Sequence, residues 1–189
     1  MRRALRNRRN QLTLEEQRLA ARKLAAKVVG MRLYRASQRI ACYQPIDGEI
    51  DTRCIIEHIH RMRKICYLPV ISRLSHDRLW FAKNEAGVEF VRNRYGVLEP
   101  DVKSRDLVRA RELDLILMPL VGFDDHGNRL GMGLGFYDHT LAFLRLRNTW
   151  RKPHIIGLAY DFQRANGIEA DPWDVPLQSV VTDQAVYIY

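Results

Sequence analysis

The sequence predicts an α/β fold: a single three-layer α/β/α domain over residues 1–189, with a mostly parallel, Rossmann-like sheet. Three observations lead to this prediction. The run 113–121, LDLILMPLV, is almost continuously apolar, which is typical of a central parallel strand covered on both faces. Other apolar runs alternate with helical patterns, which favours strand–helix–strand crossovers. A chain of 189 residues is long enough for one buried core and short for two.

The first predicted element is a basic helix followed by a capped one. Residues 2–10 hold five arginines, and Thr13 with Glu16 forms a capping box. A helix to about Gly30 is predicted because four apolar residues then recur at near-helical spacing: Leu14, Leu19, Leu24 and Val28. Two interpretations of the arginines stay open. They form a solvated helical face, or they lie over an anionic ligand.

An acidic loop follows the first predicted strand, residues 39–43. The strand ends at Gln44-Pro45, and residues 46–51 read IDGEID. We define residues 46–51 as the acidic loop. Ligands of open α/β sheets gather at the carboxyl ends of the strands, so we expect a functional carboxylate here. The alternative is an ordinary solvated turn. Thr52 is placed to cap a helix that runs to about Arg63.

Shorter elements complete the predicted sheet. Residues 64–70 form a parallel neighbour of the first strand, while 78–83 and 88–91 form an antiparallel addition or a lid. The remaining predicted elements are a turn at 95–100, a helix from Phe136 to about Leu146, a strand at 154–160, an acidic turn at 171–176 and closing strands at 180–182 and 186–188.

Composition limits the class of protein. Thirty-one Lys and Arg residues against 22 Asp and Glu give a net charge of +9, which favours a polyanionic partner: nucleic acid, nucleotide phosphates or an acidic substrate. Cys42, Cys54 and Cys66 are odd in number without a CxxC pair, so we expect reduced structural thiols. No apolar run approaches the roughly 20 residues of a membrane span, and no secretory signal is recognisable. We expect a cytoplasmic protein.

Residues 127–138, which we define as the glycine loop, carry the strongest chemical signal. Four glycines, at 127, 131, 133 and 135, lie between the apolar strand and a helix predicted to begin near Phe136. This order binds phosphate, because glycine lets backbone amides approach an anion and the helix N-terminus adds positive charge. Their spacing matches neither GxxxxGK[ST] nor GxGxxG. We expect Arg129 to pair with phosphate oxygens and Asp138 to hold the Mg²⁺ of a nucleoside triphosphate; alternatively, Asp138 merely caps the helix.

The motif GNRLGMGLGFYD, preceded by FD at 123–124, resembles the signature of the 5-formyltetrahydrofolate cyclo-ligase family, approximately FDxxGxRLGxGxGxYD. Four more segments match the family in order: RRALRNRRNQLT, DGEIDT, YGVLEP and WDVPLQSVVTD. The resemblance implies an enzyme that uses ATP and Mg²⁺ to cyclise 5-formyltetrahydrofolate to 5,10-methenyltetrahydrofolate, releasing ADP and phosphate. The implied route is phosphorylation of the formyl oxygen followed by attack of N10.

The resemblance also implies residue roles. Arg129 and Tyr137 would be catalytic, and Asp138 and Asp174 would hold Mg²⁺. ATP would be bound by Arg2, Arg6, Arg129, Leu130, Gly131, Met132, Gly133, Leu134, Gly135, Phe136 and Tyr137. The folate, with or without a polyglutamate tail, would be bound by Gln44, Glu49, Met132, Gly133, Leu134, Gly135 and Phe136.

Some residues depart from the family pattern. Some relatives have cations at the positions of Met132 and Leu134 and a tyrosine at Phe136, and Leu134 is the least expected of the three. Gln178 stands where an acidic residue is frequent, which argues against a third carboxylate at the metal. Two other functions stay open: a basic nucleic-acid-binding protein, although no nucleic-acid motif is present, and a relative that binds folate or nucleotide without turnover. We expect a monomer.

Three aromatic residues could belong either to the core or to a ligand site. Packing is the expected role of Trp173, in preference to stacking on a base. For Tyr43 and Tyr95, a place in the core is favoured over a place in a pterin pocket.

Overall fold

The structure, a computed structural model, describes residues 1–71, 77–146 and 152–189. The helices are α1 (Arg2–Asn10), α2 (Leu14–Gly30), α3 (Arg32–Ala36), α4 (Arg53–Arg61) and α5 (Phe136–Leu141). The strands are β1 (Arg39–Ala41), β2 (Ile65–Ile71), β3 (Leu79–Lys83), β4 (Phe90–Arg92), β5 (Leu98–Pro100), β6 (Leu115–Pro119), β7 (Gly122–Phe123), β8 (Arg129–Leu130), β9 (His154–Ala159), β10 (Ser179–Thr182) and β11 (Val186–Ile188).

Seven strands form the main sheet, in the order β11-β10-β9-β6-β1-β2-β3. The five inner strands are parallel to one another, and β3 and β11 add antiparallel edges. Strand β6 lies in the middle with four of its five residues buried, as its continuous apolar run predicts. The mainly parallel α/β fold is therefore confirmed. The finer Rossmann-like, three-layer arrangement and the single-domain extent stay predictions.

The two faces of the sheet pack against different parts of the chain. On one face, Leu115 and Leu117 belong to an apolar cluster that includes residues of α2, α3 and α4. On the other face, Ile116 and Met118 pack in a cluster with Leu141 of α5. The alternation of side chains along a strand thus distributes β6 between two cores.

Helix α2 is capped as predicted, and Leu24 and Val28 are buried, but the other two apolar residues that predicted the helix are not. The Thr13 hydroxyl accepts a hydrogen bond from the Glu16 backbone N–H, and the Glu16 carboxylate accepts one from the Thr13 N–H, which confirms the capping box. Leu14 and Leu19 are 70% and 47% exposed, whereas the buried face consists of Ala20, Ala21, Leu24, Ala25 and Val28. Side chains three or four residues apart lie on one face of a helix, so position on the helix, and not the apolar character of a residue, decides which side chains are buried.

Three local predictions need correction. The Thr52 hydroxyl donates to the Tyr43 carbonyl at 2.7 Å instead of capping α4, and Asp51 accepts from the Arg53 N–H at 2.8 Å. The segment predicted as one helix from Phe136 divides into α5 and a 3₁₀ turn at Ala142–Leu146. The predicted turn at 95–100 includes strand β5, which pairs with β4 in a separate hairpin.

Other expectations are consistent with the structure. Cys42, Cys54 and Cys66 are free thiols, two of them buried. Strand β3 is the antiparallel addition at the sheet edge. Among the residues described, helices fall short of the length and apolar character needed to cross a bilayer.

Candidate active site

A cavity of about 640 Å³ opens at the carboxyl ends of β1, β2 and β6. Parallel strands bring these ends to one edge, so segments far apart in sequence meet there. Residues from the ends of the three strands form its base. The other walls come from the start of α1, the acidic loop, the β4–β5 hairpin, the glycine loop and residues 169–174.

Nearly all of the predicted site residues line this one cavity. They are Arg2, Gln44, Glu49, Asp174 and the continuous segment 129–138. The exception is Arg6, whose Nε donates to the Asp47 carboxylate at 2.6 Å. The structure therefore brings the predicted ATP-binding, folate-binding and metal-binding residues together, while their individual roles stay predictions.

Backbone conformation explains two glycines of the glycine loop. Gly133 and Gly135 have φ angles of +95° and +66°, in the left-handed region that a side chain disfavours. Between and beside them, Met132 and Leu134 are 36% and 51% exposed and line the cavity. At positions 132 and 134 the loop thus presents apolar side chains, not cations, to the cavity.

Arg129 is held firmly at the wall of the cavity. Its guanidinium, 5% exposed, donates to the Asp138 carboxylate and to the Val175 carbonyl. Asp138 also accepts from the Val175 N–H at 3.4 Å. Helix α5 has Gly135 at its N-cap and no side-chain capping bond, so Asp138 pairs with Arg129 and does not cap the helix.

Glu49 is a buried carboxylate of the acidic loop. Its side chain accepts from the Ile46 N–H at 3.1 Å, and the residue is only 9% exposed. Burial raises the pKa of Glu49 to about 7, against the opposing effects of this hydrogen bond and of the nearby Arg9 charge. Burial and the Glu49 charge also raise the pKa of the Tyr137 hydroxyl, which keeps it protonated as a hydrogen-bond donor.

Two carboxylates of the cavity are the candidates to hold a metal ion, although one oxygen of Asp138 already accepts from Arg129. Asp138 and Asp174 both line the cavity, and Asp174 also accepts from the Asp171 N–H at 3.0 Å. The described residues contain no group of three or more metal-ligating side chains. Mg²⁺ is commonly held by one or two carboxylates together with phosphate oxygens, so this donor set fits it. Gln178 accepts from the Ile155 N–H at 2.9 Å and lies outside the cavity lining.

Aromatic side chains surround the cavity. Trp173 is 58% exposed on its rim, so the prediction that it is a packing residue is wrong. Tyr95 is 45% exposed and lies edge-on to Phe136, with ring centroids 5.6 Å apart, so it is not a core residue either. Tyr43 is both buried and part of the cavity lining, and its hydroxyl donates to the Ile50 carbonyl at 2.8 Å.

Comparison with known proteins identifies the family of this chain. A sequence profile described as the 5-formyltetrahydrofolate cyclo-ligase family matches residues 1–183. The 5-formyltetrahydrofolate cyclo-ligase of Escherichia coli (strain K12) is 36% identical over 185 residues, covering 97% of this chain and 98% of that protein. The chain belongs to the 5-formyltetrahydrofolate cyclo-ligase family. Membership confirms the resemblance seen in the glycine loop, and it classes the chain as a ligase of folate metabolism.

Other members of the cyclo-ligase family are similar in sequence and structure. The Haemophilus influenzae 5-formyltetrahydrofolate cyclo-ligase is 34% identical over 171 residues, or 90% of this chain and 89% of that protein. The NMR structure of Aquifex aeolicus 5,10-methenyltetrahydrofolate synthetase matches with a TM-score of 0.80 and 27% identity, covering 99% of this chain and 90% of that one. A 5,10-methenyltetrahydrofolate synthetase from Mycoplasma pneumoniae gives 0.73 and 26%, covering 96% of both chains.

Sequence reasoning missed two residues, Arg9 and Asp47, that support the acidic loop of this cyclo-ligase family member. Arg9 is 1% exposed and donates to the Asp47 carbonyl at 2.7 Å and to its carboxylate at 2.8 Å. The signal was present in α1, because Arg2, Arg6 and Arg9 recur at i, i+4 and i+7 on one helical face.

Asp124 belongs to the predicted motif, but its role was not predicted: it supports the glycine loop. Its buried carboxylate accepts from the N–H groups of His126, Asn128 and Ile168, each at 2.9 Å, and from the Asn128 side chain at 3.0 Å. Burial alone would raise the pKa of Asp124, but these hydrogen bonds outweigh it and lower the pKa. Asp124 thus joins the β7–β8 turn to the segment that leads into the rim residues 169–174.

Proposed function

We propose that the chain catalyses the ATP- and Mg²⁺-dependent cyclisation of 5-formyltetrahydrofolate to 5,10-methenyltetrahydrofolate, with release of ADP and phosphate. The observation that carries this proposal is the single cavity in which Glu49, Arg129 and the glycine loop meet. Such a cavity offers backbone amides and an arginine to phosphate, and a buried carboxylate to a second ligand. Membership of the cyclo-ligase family supplies the identity of that second ligand.

The proposed reaction has two steps. The formyl oxygen attacks the γ-phosphorus of ATP, and the bond to the ADP oxygen breaks. N10 then attacks the activated formyl carbon, phosphate leaves, and the N10 proton is lost as the five-membered ring closes. An amide-like oxygen is a poor leaving group and its phosphate ester a good one, so the protein's task is mainly positioning and charge stabilisation.

The residues of the cavity fit distinct parts of this reaction. Arg129, fixed by Asp138 and Val175, would stabilise charge on the transferred phosphoryl group. The glycine loop would bind ATP through its amides, with Arg2 nearby; the Arg2 Nε donates to the Gly131 carbonyl at 2.8 Å. Tyr137 would donate a hydrogen bond.

The folate and metal sites would lie on other walls of the same cavity. Gln44 and Glu49 would contact the folate from the segment after β1. Asp138 and Asp174 would hold Mg²⁺, which when bound neutralises phosphate charge.

Ultraviolet absorbance tests the proposal directly. Purified protein with ATP, Mg²⁺ and 5-formyltetrahydrofolate should produce the absorbance of methenyltetrahydrofolate, and reactions without ATP or without Mg²⁺ should not. Nucleotide or folate binding without any turnover would instead support a non-catalytic relative. Tight RNA binding at moderate salt, again without turnover, would support the nucleic-acid alternative.

Three further features belong to the proposal. We propose a cytoplasmic location, which the three free thiols support because that compartment keeps cysteines reduced. A polyglutamate tail on the folate is supported by the net charge of +9. A monomeric state stays a prediction.

A further inference from the structure

Helix α1 is fastened to the acidic loop through one carboxylate. The Asp47 side chain accepts from Arg6 at 2.6 Å, from Arg9 at 2.8 Å and from Asn10 at 2.9 Å. Its backbone carbonyl accepts a fourth hydrogen bond from Arg9. Burial alone would raise the pKa of Asp47, but these partners outweigh it and lower the pKa to about 2, so the carboxylate is charged at neutral pH.

The loop takes an uncommon conformation where the helix contacts it. Asp47 has a φ angle of +49° and Gly48 one of +71°, two successive left-handed residues. A Cβ atom on Gly48 would lie 2.5 Å from the Asn10 side-chain oxygen and 3.2 Å from the Arg9 carbonyl. Helix and loop are therefore in close contact, and Arg9, rather than local sequence alone, holds the turn in place.

The two fastened segments carry different parts of the site. Arg2, at the start of α1, contacts the glycine loop through the Gly131 carbonyl. Gln44, Ile46 and Glu49, on both sides of Asp47, line the cavity. Asp47 and Arg9 themselves do not line it. They act through the segments that they join.

We propose that Asp47 and Arg9 are a positioning pair, which docks α1 on the acidic loop and thereby sets the nucleotide-side Arg2 and the folate-side Glu49 for one reaction. The inference rests on the proposed function for the identity of the two ligands. Arg9 is the permanent partner because it is buried, whereas the Arg6 side chain is 40% exposed and can exchange Asp47 for a phosphate. A variant that disturbs the pair should therefore weaken the binding of both substrates.

Two variants disturb the pair in different ways. Asp47→Asn keeps the shape of the side chain but removes the charge that Arg9 and Arg6 contact. Arg9→Lys keeps the charge but cannot bind the Asp47 carboxylate and carbonyl together. Arg3→Lys is the matched control, since Arg3 is exposed on the same helix. Asn10→Ala removes only one hydrogen bond and serves as the mild variant.

Steady-state kinetics and hydrogen exchange form the test. Asp47→Asn and Arg9→Lys should raise the KM values for both ATP and folate by about tenfold, with a smaller change in kcat, while Asn10→Ala raises them about threefold and Arg3→Lys leaves them unchanged. Amides of α1 should exchange about tenfold faster in Asp47→Asn, and amides of α2 should not.

Specific outcomes would overturn the inference. Unchanged KM values with unchanged α1 exchange would show that the pair positions nothing. Faster exchange in α1 and α2 alike, with both KM values unchanged, would show a purely structural role. If Asp47→Asn does not fold, Arg9→Lys and Asn10→Ala decide by the same two measurements. Lack of turnover by the unmodified protein would refute the proposed function instead. In that case, nucleotide affinity and the hydrogen exchange of α1 in the same variants would still show whether Asp47 and Arg9 dock the helix.

Discussion

The glycine loop and the acidic loop line the same cavity but are built in opposite ways. In the glycine loop, Met132 and Leu134 are exposed, and the chemistry is in the motif itself. In the acidic loop, Glu49 is buried, and its neighbour Asp47 is held by Arg9, 38 residues away in sequence. The proposed phosphate site is therefore encoded within a dozen residues, whereas the loop that carries the buried Glu49 is held through Asp47 by a residue distant in sequence.

The largest effect should come from the fixed cation of the glycine loop. Arg129→Ala should lower kcat/KM by about 10³, because it removes a positive charge held at the proposed phosphate site. The measurement is kcat/KM for both substrates, with circular dichroism to check folding. Arg164→Ala is a matched control, since Arg164 pairs with the exposed Asp125 away from the cavity lining. Equal losses in the two variants would contradict a specific role for Arg129.

Asp124→Asn should have the next largest effect, a loss of about 10² in kcat/KM together with roughly 1–3 kcal/mol of stability. An amide cannot accept all the hydrogen bonds that orient the β7–β8 turn and Ile168. Denaturant unfolding and kinetics measure the two losses. The adjacent Asp125→Asn, at an exposed carboxylate, should change both by much less. The prediction is wrong if the two variants behave alike.

Glu49→Gln tests the acidic loop. It should raise the folate KM by about tenfold and the ATP KM much less, because the loop is proposed to contact the folate and not the nucleotide. Initial rates with each substrate varied in turn give both constants. Glu57→Gln, at an exposed position on α4, is the control. Equal increases for the two substrates would argue against direct folate contact.

The smallest expected effect is a pH dependence from the same residue. With a pKa of about 7, Glu49 is half ionised at pH 7 and mostly ionised at pH 8, so kcat/KM for folate should rise about twofold over this interval. Glu49→Gln should abolish the rise.

Whereas kcat/KM should rise with pH, the contribution of Glu49 to protein stability should fall. The folded-state pKa of Glu49 lies above its unfolded value, so the folded state binds the proton more tightly. The contribution of Glu49 to protein stability should therefore fall as pH rises from about 4.5 to 7, as the linkage between proton binding and folding requires. Thermal unfolding of the unmodified protein and of Glu49→Gln across this range separates the contribution of this carboxyl from that of other groups. A variant whose pH dependence matches that of the unmodified protein would contradict this assignment.

Much of the cavity is predictable from the amino-acid sequence because its signals are local. Arg129 to Asp138 form one motif, and the continuous apolar run of β6 indicates a buried central strand. Residue exposure is less predictable. Three large apolar residues are exposed in the fold, because burial depends on which face of a helix or side of a loop packs against the core: Leu14, Leu19 and Trp173.

Periodicity and short motifs along the chain are sufficient for the α/β class, the positions of most strands, the glycine loop and the family. Each of these depends on residues that lie close together in sequence. Three contacts instead required the folded chain: Arg9 buried beneath Asp47, Asp124 reaching Ile168, and Asp138 pairing with Arg129 instead of capping α5. Side chains satisfy buried charges through partners that folding brings near, and no pattern along the chain specifies those partners in advance.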